Sequence, residues 1–200
     1  MHSPKRDVRI CFIGDSFING TGDETFLGWT GRVCAALVDD RHTLTHYNLG
    51  VRRQTSTDIL QRWEQECAQR LPDTCSGHVV LSCGINDMVI EQGDTRVAFA
   101  DSIASVRTLL AAAKSKYKTA LVGPAAVGDA ALNSRLAPLN AAYQQAAMRI
   151  DIPFIDIFTH LAADSAYLAE SQANDGLHPR SSGYNRIATL VLPELRDWLK

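Results

Sequence analysis

The 200-residue sequence lacks the features that mark several large classes of protein. No apolar run approaches the roughly 20 residues that a membrane-spanning helix needs. No tract of lysine and arginine is dense enough to bind a nucleic-acid backbone, and the net charge is only −2 at pH 7. The sequence contains no internal repeat, low-complexity tract or linker. We therefore expect a single domain over residues 1–200, with no nucleic-acid partner and no membrane span.

Cysteine is scarce and irregularly spaced. There are five cysteines and no C-x-x-C pair, and Cys11 and Cys83 lie inside apolar runs, where cysteine commonly behaves as a small buried hydrophobe. The apolar stretch nearest the N-terminus, Val8 to Ile13, is too short for the core of a secretion signal. These features predict reduced thiols and a cytoplasmic protein. The sequence indicates no particular oligomeric state.

Short apolar runs alternate along the chain with segments of helical spacing. Apolar residues recur every three or four positions from Phe99 to Ala113, from Leu132 to Ile150 and from Tyr184 to Trp198, which predicts helices. Five shorter runs predict strands, at Val8–Ile13, Leu44–Leu49, His78–Cys83, Thr119–Val122 and Pro153–Ile157. This alternation predicts an α/β fold in which helices cover both faces of a parallel sheet. Ligands of such sheets bind beyond the carboxyl ends of the strands.

The first strand is followed by Gly14, Asp15, Ser16 and Phe17. A serine on the turn that leaves a strand can project its hydroxyl into the ligand crevice, where it needs a base to become nucleophilic. Glycine, aspartate and serine are also common turn formers. By itself this segment is therefore compatible with a simple turn.

A second candidate segment near the C-terminus runs from Asp175 to Pro179 and includes His178. Residues three apart are neighbours on a helical turn, so we expect the Asp175 carboxylate to reach the His178 imidazole. An aspartate that accepts from one ring nitrogen leaves the other nitrogen free to take a serine proton. Alone, this segment is also compatible with a loop that carries a surface histidine.

Two further polar segments follow the second and third strands. The first ends at Gly50, and the second contains Asn86 within the sequence Gly-Ile-Asn-Asp. A glycine N–H can approach a ligand closely, and an asparagine amide can donate a hydrogen bond to a developing oxyanion. The alternatives are that Gly50 serves turn geometry and that Asn86 caps its own loop.

Together the four segments resemble the blocks of the SGNH-hydrolase superfamily, also called GDSL esterases and lipases. The blocks occur in the family's order within residues 8–184: GDS with Ser16, a glycine at Gly50, GxND with Asn86, and DxxH with Asp175 and His178. The first block reads GDSF where the name-giving motif has leucine. The resemblance implies a flavodoxin-like, three-layer α/β/α sandwich with a five-stranded parallel sheet.

The resemblance also implies a mechanism. Ser16 attacks an ester carbonyl, His178 takes its proton, and Asp175 orients the histidine. The oxyanion accepts hydrogen bonds from the backbone N–H groups of Ser16 and Gly50 and from the amide of Asn86. We therefore expect a serine esterase that acts on a small-molecule carboxylic ester through an acyl-serine intermediate, without a metal or an organic cofactor.

The substrate is less closely defined by the sequence. The family resemblance admits acetylated sugars, aryl esters, thioesters and lipids. Because the chain has neither a long inserted domain nor an extended apolar lid, short acyl groups are favoured. Two alternatives of other classes are an O-acyltransferase, in which an alcohol replaces water, and a catalytically silent module that binds carbohydrate or acyl groups.

Other residues with reactive or charged side chains fit other roles. Cys83 lies in a predicted strand without a paired histidine and is expected to be a buried thiol. Asp87 is expected to brace its loop. Arg52 and Arg53 either face the pocket, where they would bind an anionic acyl or sugar substituent, or are solvated. Five histidines lack ligand spacing with cysteines or carboxylates, which argues against a metal site: His2, His42, His46, His78 and His160.

Overall fold

The structure, a computed structural model, describes residues 5–39 and 41–200. Its centre is a parallel five-stranded sheet in the order β2-β1-β3-β6-β7. The strands of this sheet are β1 (Arg6–Gly14), β2 (His42–Gly50), β3 (Ser76–Ser82), β6 (Lys118–Val122) and β7 (Phe154–Ile155). A small antiparallel hairpin follows β3 and is formed by β4 (Ile90–Glu91) and β5 (Asp94–Thr95).

Helices flank this sheet in two groups. The helices are α1 (Ser16–Asn19), α2 (Gly28–Leu37), α3 (Ser56–Ala68), α4 (Phe99–Lys114), α5 (Ala130–Met148), α6 (Phe158–Ala162), α7 (Ser165–Asn174) and α8 (Ser181–Trp198), with a short 3₁₀ helix at Asn86–Met88. α2 packs against α8, whereas α4 packs against both α3 and α5. If the hairpin strands β4 and β5 are left out of the count, the five strands of the sheet lie in the order 2-1-3-4-5, which is the flavodoxin-like order. The predicted fold class is confirmed.

The predicted strands are all present, and the last one is shorter than expected. It was predicted over Pro153–Ile157 but comprises only Phe154–Ile155. Pro153 has no N–H to donate to the neighbouring strand. Asp156 turns the chain away, because its carboxylate accepts a hydrogen bond from the backbone of Thr159 at 3.1 Å.

The three predicted helices are confirmed as α4, α5 and α8, but one of their predicted apolar positions is exposed. Phe99 is the first residue of α4 and is exposed. The core-facing side of α4 begins one turn later with Ser102 and continues with Val106 and Leu110. The apolar spacing therefore located the helix and misplaced the start of its buried face.

The remaining helices were not predicted from apolar spacing. The start of α3 nevertheless carries a local signal in the sequence. Thr55 accepts a hydrogen bond from the backbone of Asp58, and the Asp58 carboxylate accepts one from the backbone of Thr55 at 2.9 Å. This reciprocal capping box satisfies two N–H groups that the first turn of a helix leaves unpaired.

The core is centred on the middle strands. Residues of β1 and β3 are buried on both faces, as expected for central strands of a covered parallel sheet. All five cysteines are free thiols, and four of them are buried. In the part of the chain that the structure describes, no helix has both the length and the apolarity needed to cross a membrane.

The register of the sheet brings three strand ends together. Gly14, at the end of β1, pairs with Gly50 of β2 on one side and with Ser82 of β3 on the other. The chain segments that leave these strands therefore emerge at the same level. They carry Ser16, the residues after Gly50, and Asn86.

Candidate active site

Ser16 is the first residue of α1 and is 4% exposed. The Asp15 side chain caps this short helix, because its carboxylate accepts a hydrogen bond from the backbone of Phe17 at 2.9 Å. The N–H of Ser16 has no partner within α1, since the first N–H groups of a helix precede its hydrogen-bonding pattern. Both the hydroxyl and the backbone N–H of Ser16 thus lie at the edge of the sheet.

The structure brings Ser16, His178 and Asp175 together. The hydroxyl of Ser16 lies 2.7 Å from Nε2 of His178, and Nδ1 of the same ring lies 2.7 Å from Oδ2 of Asp175. Because an ionised carboxylate can only accept hydrogen bonds, Nδ1 donates to Asp175. In the neutral imidazole, Nε2 then accepts from the serine hydroxyl. The spacing of Asp175 and His178 predicted their contact, and the contact of His178 with Ser16 is the one that the family resemblance implied.

The local backbone that creates this contact differs from the expected helical turn. Residues 175–178 lie in a turn between α7 and α8, where Oδ1 of Asp175 accepts hydrogen bonds from the backbone of Leu177 at 2.9 Å and of His178 at 2.7 Å. Gly176 has φ = 81°, a conformation that favours glycine. Pro179 disfavours a helical conformation at the residue before it. The aspartate therefore approaches the histidine through a side-chain-to-backbone turn.

The surroundings of the pair fix its ionisation and its position. Burial alone would raise the pKa of Asp175, but hydrogen bonds from the ring and backbone of His178 and from the backbone of Leu177 hold that pKa below its ordinary value. The His178 side chain is buried, and its ring centre lies 5.1 Å from that of Phe17. Phe17, where the family motif has leucine, thus packs against the imidazole.

Gly50 is required for a close approach of two backbone segments. A Cβ at this position would lie 2.2 Å from the backbone nitrogen of Asn19 and 2.7 Å from the carbonyl oxygen of Asp15. Its φ is not in the left-handed region, so turn geometry does not explain the glycine. The Gly50 N–H donates to Oδ1 of Asn48 at 3.1 Å. This N–H therefore has an internal acceptor in the structure.

Asn86 is buried beneath the same edge and does not cap its own loop. Its Nδ2 donates to the carbonyl oxygen of Gln54 at 3.0 Å and, at a longer 3.3 Å, to Oδ2 of Asp15. Two acceptors at one end of the amide fix its orientation, since the flipped amide would place oxygen against oxygen. The weaker of the two bonds points to the residue that precedes Ser16.

A buried polar network lies below Asn86. Asp87 accepts hydrogen bonds from the backbone and the hydroxyl of Ser56 and from the hydroxyl of Ser102, so it braces the loop to α3 and α4 as expected. Burial raises the pKa of Asp15 to about 7. Burial also raises the pKa of Cys83 well above its ordinary value, and Cys83 is a buried thiol that follows β3 directly.

Arg62 is an important residue of the site that sequence reasoning did not identify. It lies on α3, and its guanidinium donates to the carbonyl oxygens of Gly14 and Leu49, each at 2.9 Å. These carbonyls stand at the ends of β1 and β2, just before Asp15 and Gly50. One partly buried cation thus ties together the two strand ends that carry the site.

Of the two arginines after Gly50, Arg53 alone has an ion-pair partner among the described residues. Arg53 has φ = 66°, and its guanidinium lies 2.6 Å from a carboxylate oxygen of Glu91 in β4. Arg52 is exposed and lines a cavity beside α1. The two neighbouring arginines therefore point to different surroundings.

A cavity of about 670 Å³ lies against Asp175 and Leu177. Its walls come from the β4 hairpin, the start of α5 and the end of α7, and include Val89, Ile90 and Leu132. A larger cavity at the amino ends of β3 and β6 contains none of the predicted site residues. Within residues 5–39 and 41–200, no three His, Cys, Asp or Glu side chains are grouped to hold a metal ion. His2 lies outside the described residues.

Comparison with known proteins gives one family match. The sequence matches the GDSL-like Lipase/Acylhydrolase family over residues 12–186, a span that includes all the predicted site residues. No protein of curated function matches the chain significantly.

Several solved structures are similar to this one. A lipase/acylhydrolase from Enterococcus faecalis is 23% identical, with a TM-score of 0.75 over 94% of this chain and 95% of that one. An acetylxylan esterase from Geobacillus stearothermophilus is 23% identical, with a TM-score of 0.76 over 94% and 93%. An α/β hydrolase enzyme from the metagenome of Lake Arreo, Spain, is 21% identical, with a TM-score of 0.77 over 96% of each chain. At these identities the likeness establishes a shared fold.

The role of Arg62 can be tested through stability. Arg62→Met should lower the free energy of unfolding by about 2–3 kcal/mol, because two strand-end carbonyls lose a charged donor. A loss of this size corresponds to a fall in melting temperature of roughly 4–12 °C for a chain of this length. Thermal melts should include Arg107→Met, which removes an exposed arginine of α4. Equal melting temperatures for the two variants would contradict the bracing role.

Proposed function

The chain belongs to the GDSL-like lipase/acylhydrolase family and is a carboxylic ester hydrolase, and from this premise we propose that Ser16 is its nucleophile. The observation that carries the proposal is the chain of two 2.7 Å contacts from the Ser16 hydroxyl through His178 to Asp175. A silent binding module would have no need of a serine hydroxyl held against an imidazole nitrogen whose ring is oriented by a carboxylate.

The proposed first step is attack of the Ser16 hydroxyl oxygen on the ester carbonyl carbon. Nε2 of His178 takes the hydroxyl proton, and the ionised Asp175 stabilises the imidazolium that forms. The tetrahedral intermediate collapses when His178 returns the proton to the leaving alcohol oxygen. Water, deprotonated by the same nitrogen, then attacks the acyl-serine and releases the acid and the free serine.

We propose that the oxyanion binds to the backbone N–H groups of Ser16 and Gly50 and to Nδ2 of Asn86. The N–H of Ser16 has no partner within α1. The Asn86 hydrogen that points to Asp15 makes the longer bond, at 3.3 Å, and is the one most easily redirected. The bond to Gln54 at 3.0 Å would keep the amide in place during the reaction.

Short acyl groups are the proposed substrates. The cavity beside Asp175 has apolar walls at Val89, Ile90 and Leu132, but Asp129 and Arg135 also line it. A long alkyl chain would have to lie against these charged groups, whereas an acetyl group needs only the apolar part. One of the similar structures is an acetylxylan esterase, which supports the same choice.

The location and partners of the protein form part of the same proposal. Five free thiols support a reducing, cytoplasmic environment. A small-molecule ester is the proposed substrate, and apart from water the mechanism above uses only side chains and backbone groups of this chain.

Ser16 can be tested with a fluorophosphonate, which reacts with activated serines. The wild type should gain one adduct on Ser16, and Ser16→Ala should gain none and lose ester hydrolysis by about 10³-fold or more at an unchanged melting temperature. Ser134→Ala, which removes an exposed hydroxyl of α5, should be labelled like the wild type. An adduct on Cys83 or on another serine, located by peptide mass spectrometry, would refute the assignment.

Asn86→Ala should lower kcat by about 10²–10³-fold, a loss of roughly 2.7–4 kcal/mol of transition-state stabilisation. KM should change little, because the oxyanion exists only beyond the ground state. A matched control is Asn140→Ala, which removes another buried asparagine, one that donates to Asp156 at 3.1 Å. That variant should lose stability and keep its kcat. If both variants lost turnover and stability in the same proportion, Asn86 would have only a structural role.

The acyl preference can be measured with p-nitrophenyl acetate, butyrate, octanoate and palmitate. We expect kcat/KM to be highest for the acetate and to fall by about tenfold or more at the octanoate. A methylene group that a pocket does not accommodate costs about 1–3 kcal/mol of transition-state binding. Ser16→Ala supplies the background rate for each ester. A maximum at the octanoate or the palmitate would contradict the short-acyl proposal and leave the esterase activity standing.

A further inference from the structure

A second cavity, of about 390 Å³, is lined by residues 19–23, Phe26 and Arg52. Its lining residues adjoin the catalytic residues proposed above. A Cβ at Gly22 would lie 3.2 Å from Cβ of His178, and Asn19 is the last residue of the helix that begins with Ser16. The lining of the cavity is therefore joined through α1 to the nucleophile, and its wall at Gly22 packs against the base.

Phe26 projects from the wall of this cavity in an unfavourable conformation. Its side chain is 92% exposed, the largest exposed fraction among the large apolar residues of the described chain. Its φ is 60°, in the left-handed region that non-glycine residues rarely adopt. Backbone strain of this kind is concentrated at functional sites and ligand clamps. An exposed aromatic ring held in a strained conformation suggests a surface that meets a ligand.

The turn that carries Phe26 is held rigid from within. The Asp23 carboxylate accepts hydrogen bonds from the backbone of Thr25 at 3.0 Å and of Gly28 at 2.8 Å, and it pairs with Arg32. Burial alone would raise the pKa of Asp23, but these hydrogen bonds hold that pKa well below its ordinary value. The carboxylate is therefore ionised and fully engaged, and the conformation of Phe26 is fixed before any ligand arrives.

Arg52 supplies the polar part of the cavity. Unlike Arg53, it has no ion-pair or hydrogen-bond partner among residues 5–39 and 41–200. A guanidinium presents five N–H donors in a planar fork. Asn19 and Thr21 line the same cavity and add further polar groups. The lining thus combines one aromatic ring with several groups that hydrogen-bond to hydroxyls.

We propose that this cavity binds the alcohol part of the ester and that this alcohol is a carbohydrate. The ring of Phe26 would cover the apolar C–H face of a sugar, and Arg52 would donate to its hydroxyl or acyloxy oxygens. The cavity beside Asp175, with Val89 and Ile90, would take the acyl group. The inference rests on the esterase function proposed above and adds the class of alcohol to it.

The test compares xylose tetraacetate with ethyl acetate, whose alcohol is too small to reach Phe26, by titrating the acetic acid released. Phe26→Ala should raise the KM for xylose tetraacetate by about tenfold, equivalent to about 1.4 kcal/mol of lost binding. Its effect on kcat/KM for ethyl acetate should be about twofold at most. Arg52→Ala should show the same selectivity with a smaller loss.

Two further variants separate a ligand contact from a structural effect. Phe26→Gly should raise the KM for xylose tetraacetate to the same extent. Its melting temperature should stay equal or rise, because glycine adopts a positive φ without strain. Met148→Ala removes another exposed apolar side chain, 65% exposed at the end of α5, and should leave both reactions unchanged.

The possible outcomes distinguish this inference from the function on which it rests. Equal losses on both esters, or no loss on either, would overturn the sugar site. A wild-type protein that hydrolyses ethyl acetate with the higher kcat/KM would also overturn it, with the esterase function intact. If the wild type hydrolysed neither ester and resisted the fluorophosphonate, the proposed function itself would fail.

Discussion

At the carboxyl ends of β1, β2 and β3 the backbones approach so closely that side chains are excluded from two positions. A Cβ at Gly14 would lie 2.0 Å from the carbonyl oxygen of Ser82, and one at Gly50 would lie 2.2 Å from the backbone nitrogen of Asn19. Interior packing at this density tolerates little added volume. The remaining features of the site depend on this close approach of the three strand ends. It sets the distance between the serine turn and the segments that carry Gly50 and Asn86.

Hydrogen bonds of polar groups buried beneath these strand ends fix the geometry of the site. Arg62 satisfies the carbonyls of two strand ends, and Asp87 accepts from three donors on two helices. Buried groups of this kind stabilise a fold only when their partners are complete, and these have them. Burial of the Asp15 carboxyl is the unfavourable part of this arrangement. Its pKa is raised from 3.8 to about 7, so the stability that it contributes is present below pH 3.8 and is lost as the pH rises through about 7.

Sequence patterns identified what local order determines, and they missed what depends on contacts between distant segments. Apolar runs located five strands, since a covered parallel strand must be apolar on both faces. The spacing of Asp175 and His178 predicted their contact but not the turn that produces it. Gly176, which has a positive φ, and Pro179 prevent a helical turn at this place. Arg62 lies 48 residues from Gly14, and nothing in its neighbourhood along the chain indicates that it binds that carbonyl. α3 was missed although its capping box is local, which shows that apolar periodicity alone is an incomplete signal.

The hydrogen bonds of the proposed oxyanion donors suggest how the site would distinguish an ester from its transition state. In the structure, Gly50 donates to the neutral side-chain oxygen of Asn48, and Asn86 donates to a neutral carbonyl and, weakly, to Asp15. These acceptors orient the donors before substrate binds. A neutral ester carbonyl offers no better partner and gains little by displacing them. An oxyanion is a better acceptor than these groups, because hydrogen bonds to a charged acceptor are roughly twice as strong as neutral ones. Exchange of acceptors would then occur mainly as charge develops, so the donors would stabilise the transition state more than the bound ester, which is the condition for a faster reaction.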